Sequence, residues 1–207
     1  MDIVFDLDGT LFDTLNIHMK SLMEVGNVLC RKISTLHILK YLHGTVNQQL
    51  TEIYGDNLYK ESAALYYRCF IKLLREGYVQ DSICIVEFLN FLIQRSFNIH
   101  IFTARDSITS MELLNYFSIC DYFKTVTCID YGEKLTKSNM YDVFERLEQV
   151  IYVTDDISEY DFFLKQKIPV VLAGWHYKNK KFPSNIRVCK EVNDLLELSE
   201  IKLQMNL

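Results

Sequence analysis

The stretch Ile3-Val4-Phe5-Asp6-Leu7-Asp8-Gly9-Thr10 places two carboxylates, those of Asp6 and Asp8, directly behind a run of apolar residues. The apolar run predicts a buried β-strand, in which residues two apart lie on the same side. Gly9 permits a tight turn, so both acids can converge on one cleft where the strand ends. One carboxylate can then attack phosphorus while the other transfers a proton. The stretch is therefore typical of phosphoryl transfer, and the alternative interpretation is an ordinary Asp-Gly turn.

The composition limits the classes of protein to which the chain can belong. It has 207 residues, of which 49% are hydrophobic, and a formal net charge of −5. This charge argues against a nucleic-acid or anionic-membrane surface, which would need clustered positive charge. No uncharged apolar run approaches the roughly 20 residues of a membrane span. Because the first strand begins at residue 2 and leaves no room for a secretion signal, we expect a soluble cytoplasmic protein.

The hydrophobic pattern predicts an α/β fold. Between residues 14 and 80, apolar residues recur at three-to-four spacing, which indicates several helices. From residue 83 onward the pattern alternates between helices at 83–95, 107–116, 137–147 and 158–166 and strands at 98–103, 125–129, 150–154 and 169–172. Such alternation is typical of a parallel sheet with helices on both faces. With the strand at 2–6, the predicted sheet has five strands.

The order of these elements predicts two domains. A core domain would comprise residues 1–13 and 81–207, and residues 14–80, called here the helical insert, would form a small all-helical domain after strand 1. Open α/β sheets bind ligands beyond the carboxyl ends of their strands. The helical insert should therefore cover that edge as a lid.

The second strand of the chain ends in Thr103-Ala104-Arg105-Asp106. The Thr103 hydroxyl and the main-chain amides around Ala104 could hold a phosphate oxygen. The alternative for Thr103 is a simple cap on the helix at 107. Arg105 is an electrostatic candidate for the phosphate or the substrate, although it could equally pair with Asp106 or with acidic residues at the rim of the helical insert.

Two lysines, Lys134 and Lys137, lie near the start of the next predicted helix. A lysine ammonium can neutralise a nucleophilic carboxylate and a phosphate together, because it is a compact point charge. We prefer Lys137, because the apolar stripe of its helix leaves it in the first turn, near the strand ends; the stripe comprises Met140, Val143, Phe144 and Leu147. Lys134 stays open as the alternative.

Acidic residues follow the strand at 150–154, in the order Asp155, Asp156 and, one turn on, Glu159. Mg²⁺ prefers hard oxygen ligands and usually keeps several waters, so a strand end of this kind suits it. Asp155 is the first-choice ligand, and Asp156 or Glu159 would accept hydrogen bonds from bound waters. For Asp156 an ordinary acidic helix start is an equal alternative.

Taken together, the four strand ends resemble the haloacid dehalogenase (HAD) superfamily of phosphohydrolases over nearly the whole chain. Residues 6–10 look like motif I, Thr103 like motif II, Lys137 like motif III, and Asp155 with Asp156 or Glu159 like motif IV. Residues 8–14 and the helical insert are similar to the phosphoglycolate-phosphatase-like branch, whose helical C1 cap covers the site. Thr154 departs from the pattern, because motif IV usually has a glycine there, and no proline follows the motif III lysine.

The resemblance implies a Rossmann-like core, a C1 cap and a set of roles. Asp6 would be the nucleophile and Asp8 the general acid and base. Mg²⁺ would be held by the Asp6 carboxylate, the Asp8 backbone carbonyl and Asp155. Gly9 and Thr10 would belong to the phosphate-binding turn.

The segment Leu42-His43-Gly44-Thr45 resembles the cap loop that faces the cleft. His43 and Gly44 are therefore candidates for substrate binding. His43 could equally be a structural histidine, because a lone histidine between helices often is one.

These interpretations predict a Mg²⁺-dependent phosphatase that acts through an aspartyl phosphate, as a monomer or homodimer. A closing lid would restrict its substrates to small phosphorylated metabolites. A sugar-phosphate mutase, which has the same two aspartates, stays open as an alternative. So does a non-catalytic protein that binds a phosphometabolite or has a regulatory role. A dehalogenase would need neither Asp8 nor the metal.

Overall fold

The structure, a computed structural model, describes residues 1–42, 44–130, 144, 147, 149–177, 182–184 and 186–197. The described residues form one parallel sheet in the order β3-β2-β1-β4-β5-β6. Its strands are β1 (Asp2–Phe5), β2 (Asn98–Phe102), β3 (Phe123–Thr127), β4 (Val150–Thr154), β5 (Val170–Ala173) and β6 (Val188–Cys189).

The strand that precedes the two aspartates lies in the middle of this sheet. β1 pairs with β2 on one side and β4 on the other, so that Ile3 stands opposite both Ile99 and Ile151. Ile3 and Phe5 pack in one hydrophobic cluster and Val4 in another, because successive residues of a strand point to opposite faces. An uninterrupted apolar run is what a strand covered on both faces requires.

The predicted α/β fold is confirmed, with six strands in the sheet instead of the five predicted. β6 has two residues, too few to show a periodic pattern, and is defined by its pairing with β5, in which Leu172 stands opposite Val188. The helix predicted at 137–147 lies outside the described residues apart from Phe144 and Leu147, which pack in the same hydrophobic cluster as Val4.

The helical insert contains α1 (Leu15–Val28), α2 (Thr35–Leu39), α3 (Val46–Tyr54), a 3₁₀ turn (Asp56–Leu58) and α4 (Tyr59–Arg75). Thr45 and Gln48 form a capping box that begins α3. The remaining described helices are α5 (Ile85–Gln94), α6 (Ser107–Tyr116), a second 3₁₀ turn (Cys120–Tyr122), α7 (Ile157–Lys165) and α8 (Val192–Leu196). α4 packs against α1 and α3, and also against α6 beside the sheet. The division into a core domain and a cap domain stays a prediction.

None of the helices in the described part of the chain is both long and apolar enough to cross a lipid bilayer.

Candidate functional site

The carboxyl ends of β1, β2 and β4 meet the helical insert around a cleft of about 500 Å³. Several predicted residues from separate strand ends line it together: Asp6, Asp8, Gly9, Thr103, Ala104, Arg105, Asp155, Asp156 and Glu159. The helical insert contributes Thr14, Leu15, His18, Leu42, Gly44, Val46 and Gln49. The parallel order of the strands explains the meeting, because all their carboxyl ends lie at one edge of the sheet.

Asp6 is surrounded by other carboxylates. It follows β1 directly, and its backbone N–H donates to the Val153 carbonyl of β4 at 2.9 Å. Burial raises the pKa of Asp6 well above its ordinary value, and the negative charges of Glu159 and Asp155 raise it further. The cluster therefore favours a positive charge beside Asp6.

Asp8 has a very different environment, because Arg105 neutralises it. The Arg105 Nε donates to both Asp8 carboxylate oxygens at 3.1 and 2.9 Å, and Nη2 donates to Oδ1 at 2.8 Å. Thr14 donates a further hydrogen bond to Oδ1. Burial alone would raise the pKa of Asp8, but the charge and hydrogen bonds of Arg105 outweigh it and lower that pKa. The structure thus directs Arg105 to Asp8, while Asp106 caps α6 by accepting from Thr109.

Two hydroxyl groups hold the Asp155 carboxylate in place, one from Tyr177 and one from Thr10 of the turn after β1. Its Oδ2 accepts from the Tyr177 hydroxyl at 2.5 Å, and its Oδ1 accepts from the Thr10 hydroxyl at 3.5 Å. Gly9 makes this approach possible: a Cβ at residue 9 would lie 2.4 Å from Asp155 Oδ2, and the φ of Gly9 is +74°. Thr10 therefore contacts the candidate metal ligand.

The two candidates beyond Asp155 differ in their contacts. Asp156 caps α7 by accepting from the Ser158 backbone N–H at 2.6 Å. Glu159 accepts from the hydroxyls of Tyr152 at 2.7 Å and Thr154 at 2.8 Å. Burial outweighs these hydrogen bonds and raises the pKa of Glu159 to about 7. Glu159 is therefore the more buried acid of this pair, while the exposed Asp156 carboxylate is engaged in a helix cap.

The second strand end supplies a hydroxyl to the cleft. Thr103 is 1% exposed, and its Oγ1 accepts from the Arg105 backbone N–H at 3.2 Å. Because Asp106 is the residue that caps α6, Thr103 is not needed for that purpose. A hydroxyl that accepts one hydrogen bond can still donate its own proton.

Three predicted residues, His43, Lys134 and Lys137, lie outside the described residues. The sequence interpretation also missed several residues of the site. Thr14 and His18 are one helical turn apart at the start of α1, a spacing that could have identified them. Tyr177 comes soon after the end of β5, so the strand-end rule applied once more would have pointed to it. Tyr66 of α4, whose hydroxyl accepts from Arg105 Nη1 at 3.5 Å, has no comparable signal, because its partners come from other elements.

The carboxylates at the cleft fit a Mg²⁺ ion. Of the residues described, no group of three or more His, Cys, Asp or Glu side chains is arranged to hold a metal by itself. Asp6 and Asp155 nevertheless lie at adjacent strand ends, and the negative charge of Asp155 raises the pKa of Asp6. Mg²⁺ is commonly bound by one or two carboxylates together with waters and substrate phosphate. Two neighbouring carboxylates, one of which raises the pKa of the other, are a donor set of that kind.

Comparison with known proteins gives a family for the chain. Residues 3–173 match the model of a family described as haloacid dehalogenase-like hydrolase. No curated protein matches the sequence.

Solved structures share the fold. CbbY from Rhodobacter sphaeroides, in complex with phosphate, has a TM-score of 0.78 at 15% identity, covering 94% of this chain and 95% of that one. A protein from Clostridium acetobutylicum described as a predicted phosphatase has a TM-score of 0.71 at 22% identity, covering 95% of this chain and 98% of that one. Protein Tyrosine Kinase A from Mycobacterium tuberculosis has a TM-score of 0.69 at 17% identity, covering 95% and 96%. At these identities the likeness shows the fold alone, and chemistry must be argued from the site.

Proposed function

Because the chain belongs to the haloacid dehalogenase-like hydrolase family, we propose that it is a phosphatase that hydrolyses phosphomonoesters of small molecules. The observation that carries this proposal is the meeting of Asp6, Asp8 and Asp155 at one cleft. A phosphatase uses a nucleophile, a proton-transfer group and a metal ligand, and these three residues supply them. The CbbY structure that shares the fold is a complex with phosphate, which supports the same chemistry.

In the first step, an Asp6 carboxylate oxygen attacks phosphorus and the bond from phosphorus to the ester oxygen breaks. The product is an aspartyl phosphate on Asp6, and the leaving oxygen takes up a proton from Asp8, which thereby becomes a carboxylate. The Thr103 hydroxyl and the backbone amide of Ala104 hold oxygens of the transferring group. Preorganised donors of this kind stabilise the charge that develops in the transition state.

In the second step, a water oxygen attacks the same phosphorus, the bond to Asp6 breaks, and Asp8 accepts the proton of the water. The pair with Arg105 favours this half of the chemistry, because it lowers the pKa of Asp8 and keeps it a carboxylate. The same pair opposes the donation of a proton in the first step. We therefore expect faster turnover of esters whose leaving groups are stable without a proton.

Mg²⁺ would be held by the carboxylates of Asp6 and Asp155 and the backbone carbonyl of Asp8. When bound, it supplies positive charge that offsets the repulsion between Asp6 and a phosphate dianion. We propose Glu159, in preference to Asp156, as the acid that accepts from water around the metal, because Asp156 caps α7. Lys137, or alternatively Lys134, would add the second positive charge.

The substrate would be a small phosphorylated metabolite, bound beneath the helical insert. Gly44, and by the sequence interpretation His43, would face its organic part, beside Leu15, Leu42 and Val46. A cleft of about 500 Å³ has room for a small molecule and excludes a folded macromolecule.

The proposal is tested by hydrolysis of p-nitrophenyl phosphate with and without Mg²⁺. The wild type should turn over only with the metal, and Asp6→Asn should lower kcat by roughly 10³-fold or more, because an amide is a poor nucleophile. Asp161→Asn, which changes an exposed acid on α7 outside the cleft, is the matched control. Absence of wild-type turnover between pH 5 and 9, or full activity of Asp6→Asn, would contradict the proposal.

A further inference from the structure

A continuous series of hydrogen bonds leads from Asp8 into the helical insert. Arg105 Nη1 donates to the Tyr66 hydroxyl at 3.5 Å, and Tyr66 contacts His18 Nδ1 at 2.7 Å. His18 Nε2 contacts Gln49 Oε1 at 2.7 Å, and Gln49 Nε2 donates to the Gly44 carbonyl at 3.4 Å. The series therefore joins the end of β2 to α4, α1 and α3, and to the loop before α3.

Chemistry fixes the direction of every bond in this series. Gln49 Oε1 can only accept, so His18 Nε2 carries the proton and Nδ1 accepts from the Tyr66 hydroxyl. Tyr66 in turn accepts from Arg105, which has donors alone. Burial and then the charge of Arg105 lower the pKa of His18 to about 4, which is consistent with a neutral ring. From Arg105 onward, every donor thus points away from Asp8 and toward Gly44, while Arg105 itself also donates to Asp8.

Arg105 occupies the junction of this series with the candidate active site. Its side chain is 2% exposed, and its guanidinium lies 4.4 Å from the centroid of the Phe70 ring on α4. Nη1 also donates to Thr109 of α6 at 3.3 Å. Contacts other than those with Asp8 therefore fix the position of the guanidinium. Because the guanidinium is planar, the Asp8 carboxylate can bind it in a bidentate manner in one orientation only.

We propose that Arg105 is a positioning residue that, together with Tyr66, sets the Asp8 carboxylate in place for the second step of the reaction. This inference rests on the proposed function. In that step the water oxygen bonds to phosphorus, the bond between phosphorus and Asp6 breaks, and the water proton passes to Asp8. Misplacement of Asp8 slows this step whatever the substrate, because the aspartyl phosphate is the same for every ester.

Two substitutions keep the positive charge and remove only the geometry. Arg105→Lys removes the planar guanidinium that donates to both carboxylate oxygens of Asp8. Tyr66→Phe removes the hydroxyl that accepts from Arg105 Nη1. The matched control is Tyr54→Phe, which also removes a buried tyrosine hydroxyl of the helical insert. That hydroxyl donates to the Leu22 carbonyl, away from Arg105.

The readout is pre-steady-state and steady-state hydrolysis of p-nitrophenyl phosphate with Mg²⁺ by the full chain. In Arg105→Lys we expect kcat to fall about 10²-fold, the cost of a small misplacement of a catalytic group. KM should fall by the same factor, so that kcat/KM stays near the wild-type value, and a burst of one p-nitrophenolate per enzyme should appear. Tyr66→Phe should show the same pattern to a smaller extent, and Tyr54→Phe should match the wild type.

The alternative is a purely structural Arg105, which would give a different result. Loss of folded enzyme would lower kcat/KM and the burst amplitude together and leave KM unchanged. That outcome in both Arg105→Lys and Tyr66→Phe, or a wild-type pattern in both, would overturn the inference while wild-type turnover still supports the proposed function. Absence of wild-type turnover would overturn the proposed function and the inference with it. Should Arg105→Lys fail to fold in a melting experiment, Tyr66→Phe decides alone.

Discussion

The two sides of the cleft differ in how their negative charge is balanced. On one side, Arg105 neutralises Asp8 through three hydrogen bonds and is itself supported by Tyr66. On the other side, Asp6, Asp155 and Glu159 crowd together, and their mutual repulsion adds to burial in raising the pKa of Asp6. We call these the paired side and the acidic side. The difference indicates that a protein side chain balances the charge of Asp8 and holds it in position, whereas the charge of the acidic side is suited to binding a cation from solution.

The largest expected effect is the loss of a carboxylate from the acidic side, which tests whether that side binds a metal ion. Asp155→Asn removes a carboxylate from the proposed metal site, and we expect Mg²⁺-dependent turnover to fall roughly 10³-fold, because the metal supplies much of the charge stabilisation. We expect Mg²⁺ to raise the melting temperature of the wild type, and this rise should disappear in Asp155→Asn. Asp161→Asn is again the control. An Asp155→Asn protein that keeps the full Mg²⁺ response in both assays would remove Asp155 from the metal site.

A smaller effect on Mg²⁺ binding is expected from the loss of the Tyr177 hydroxyl. This hydroxyl donates to Asp155 Oδ2 at 2.5 Å and so orients the carboxylate. Tyr177→Phe should weaken Mg²⁺ binding about 10-fold, a usual cost of losing a group that supports a metal ligand. Calorimetric titration with Mg²⁺ measures this directly, with Tyr122→Phe as the control, since that hydroxyl contacts Asn90 instead. Equal Kd values for Tyr177→Phe and the wild type would contradict the role.

The smallest effect is a pH dependence on the paired side. Burial and the charge of Arg105 lower the pKa of His18 to about 4 in the folded protein, below the ordinary 6.5. The unfolded chain therefore binds more protons between these values, so this contribution to stability is full above pH 6.5 and is lost as the pH falls toward 4. The shift corresponds to about 3 kcal/mol at most.

Urea unfolding of the wild type and His18→Gln across this pH window measures that contribution. The glutamine variant should lose less stability on acidification than the wild type, because it has no ring to protonate. His37→Gln, which changes a half-buried histidine of the helical insert that does not line the cleft, is the control. Equal losses for His18→Gln and the wild type would show that His18 does not carry this pH dependence.

Much of the fold could be predicted from the sequence, because short apolar runs bounded by polar turns mark the strands. The strand at 150–154 and the helix at 107–116 have the predicted bounds. β3 begins two residues before the predicted start, because Lys124 interrupts the apolar pattern after Phe123. β6 could not be predicted, because a two-residue strand is specified only by its neighbour in the sheet.

The candidate site could be predicted only as far as the topology of parallel strands reaches. That topology brings Asp6, Thr103 and Asp155 together whatever their side chains do. The partner of Arg105 could not be predicted, because Asp8 is 97 residues away along the chain and the local neighbour Asp106 was an equal candidate. Tyr66 escaped for the same reason, since a buried tyrosine on a helix stripe gives no sign that its hydroxyl meets a guanidinium from another element.

The central claim is that Asp6 carries the phosphoryl group and that Asp8 assists its removal. The most direct measurement is mass spectrometry of Asp8→Asn after rapid quenching in acid during turnover of p-nitrophenyl phosphate with Mg²⁺. We predict one phosphoryl group per chain, on the peptide that contains Asp6, at a higher level than in the wild type, because removal is slowed more than formation. No phosphorylated peptide in either protein during active turnover, or a phosphoryl group on another residue, would contradict the claim.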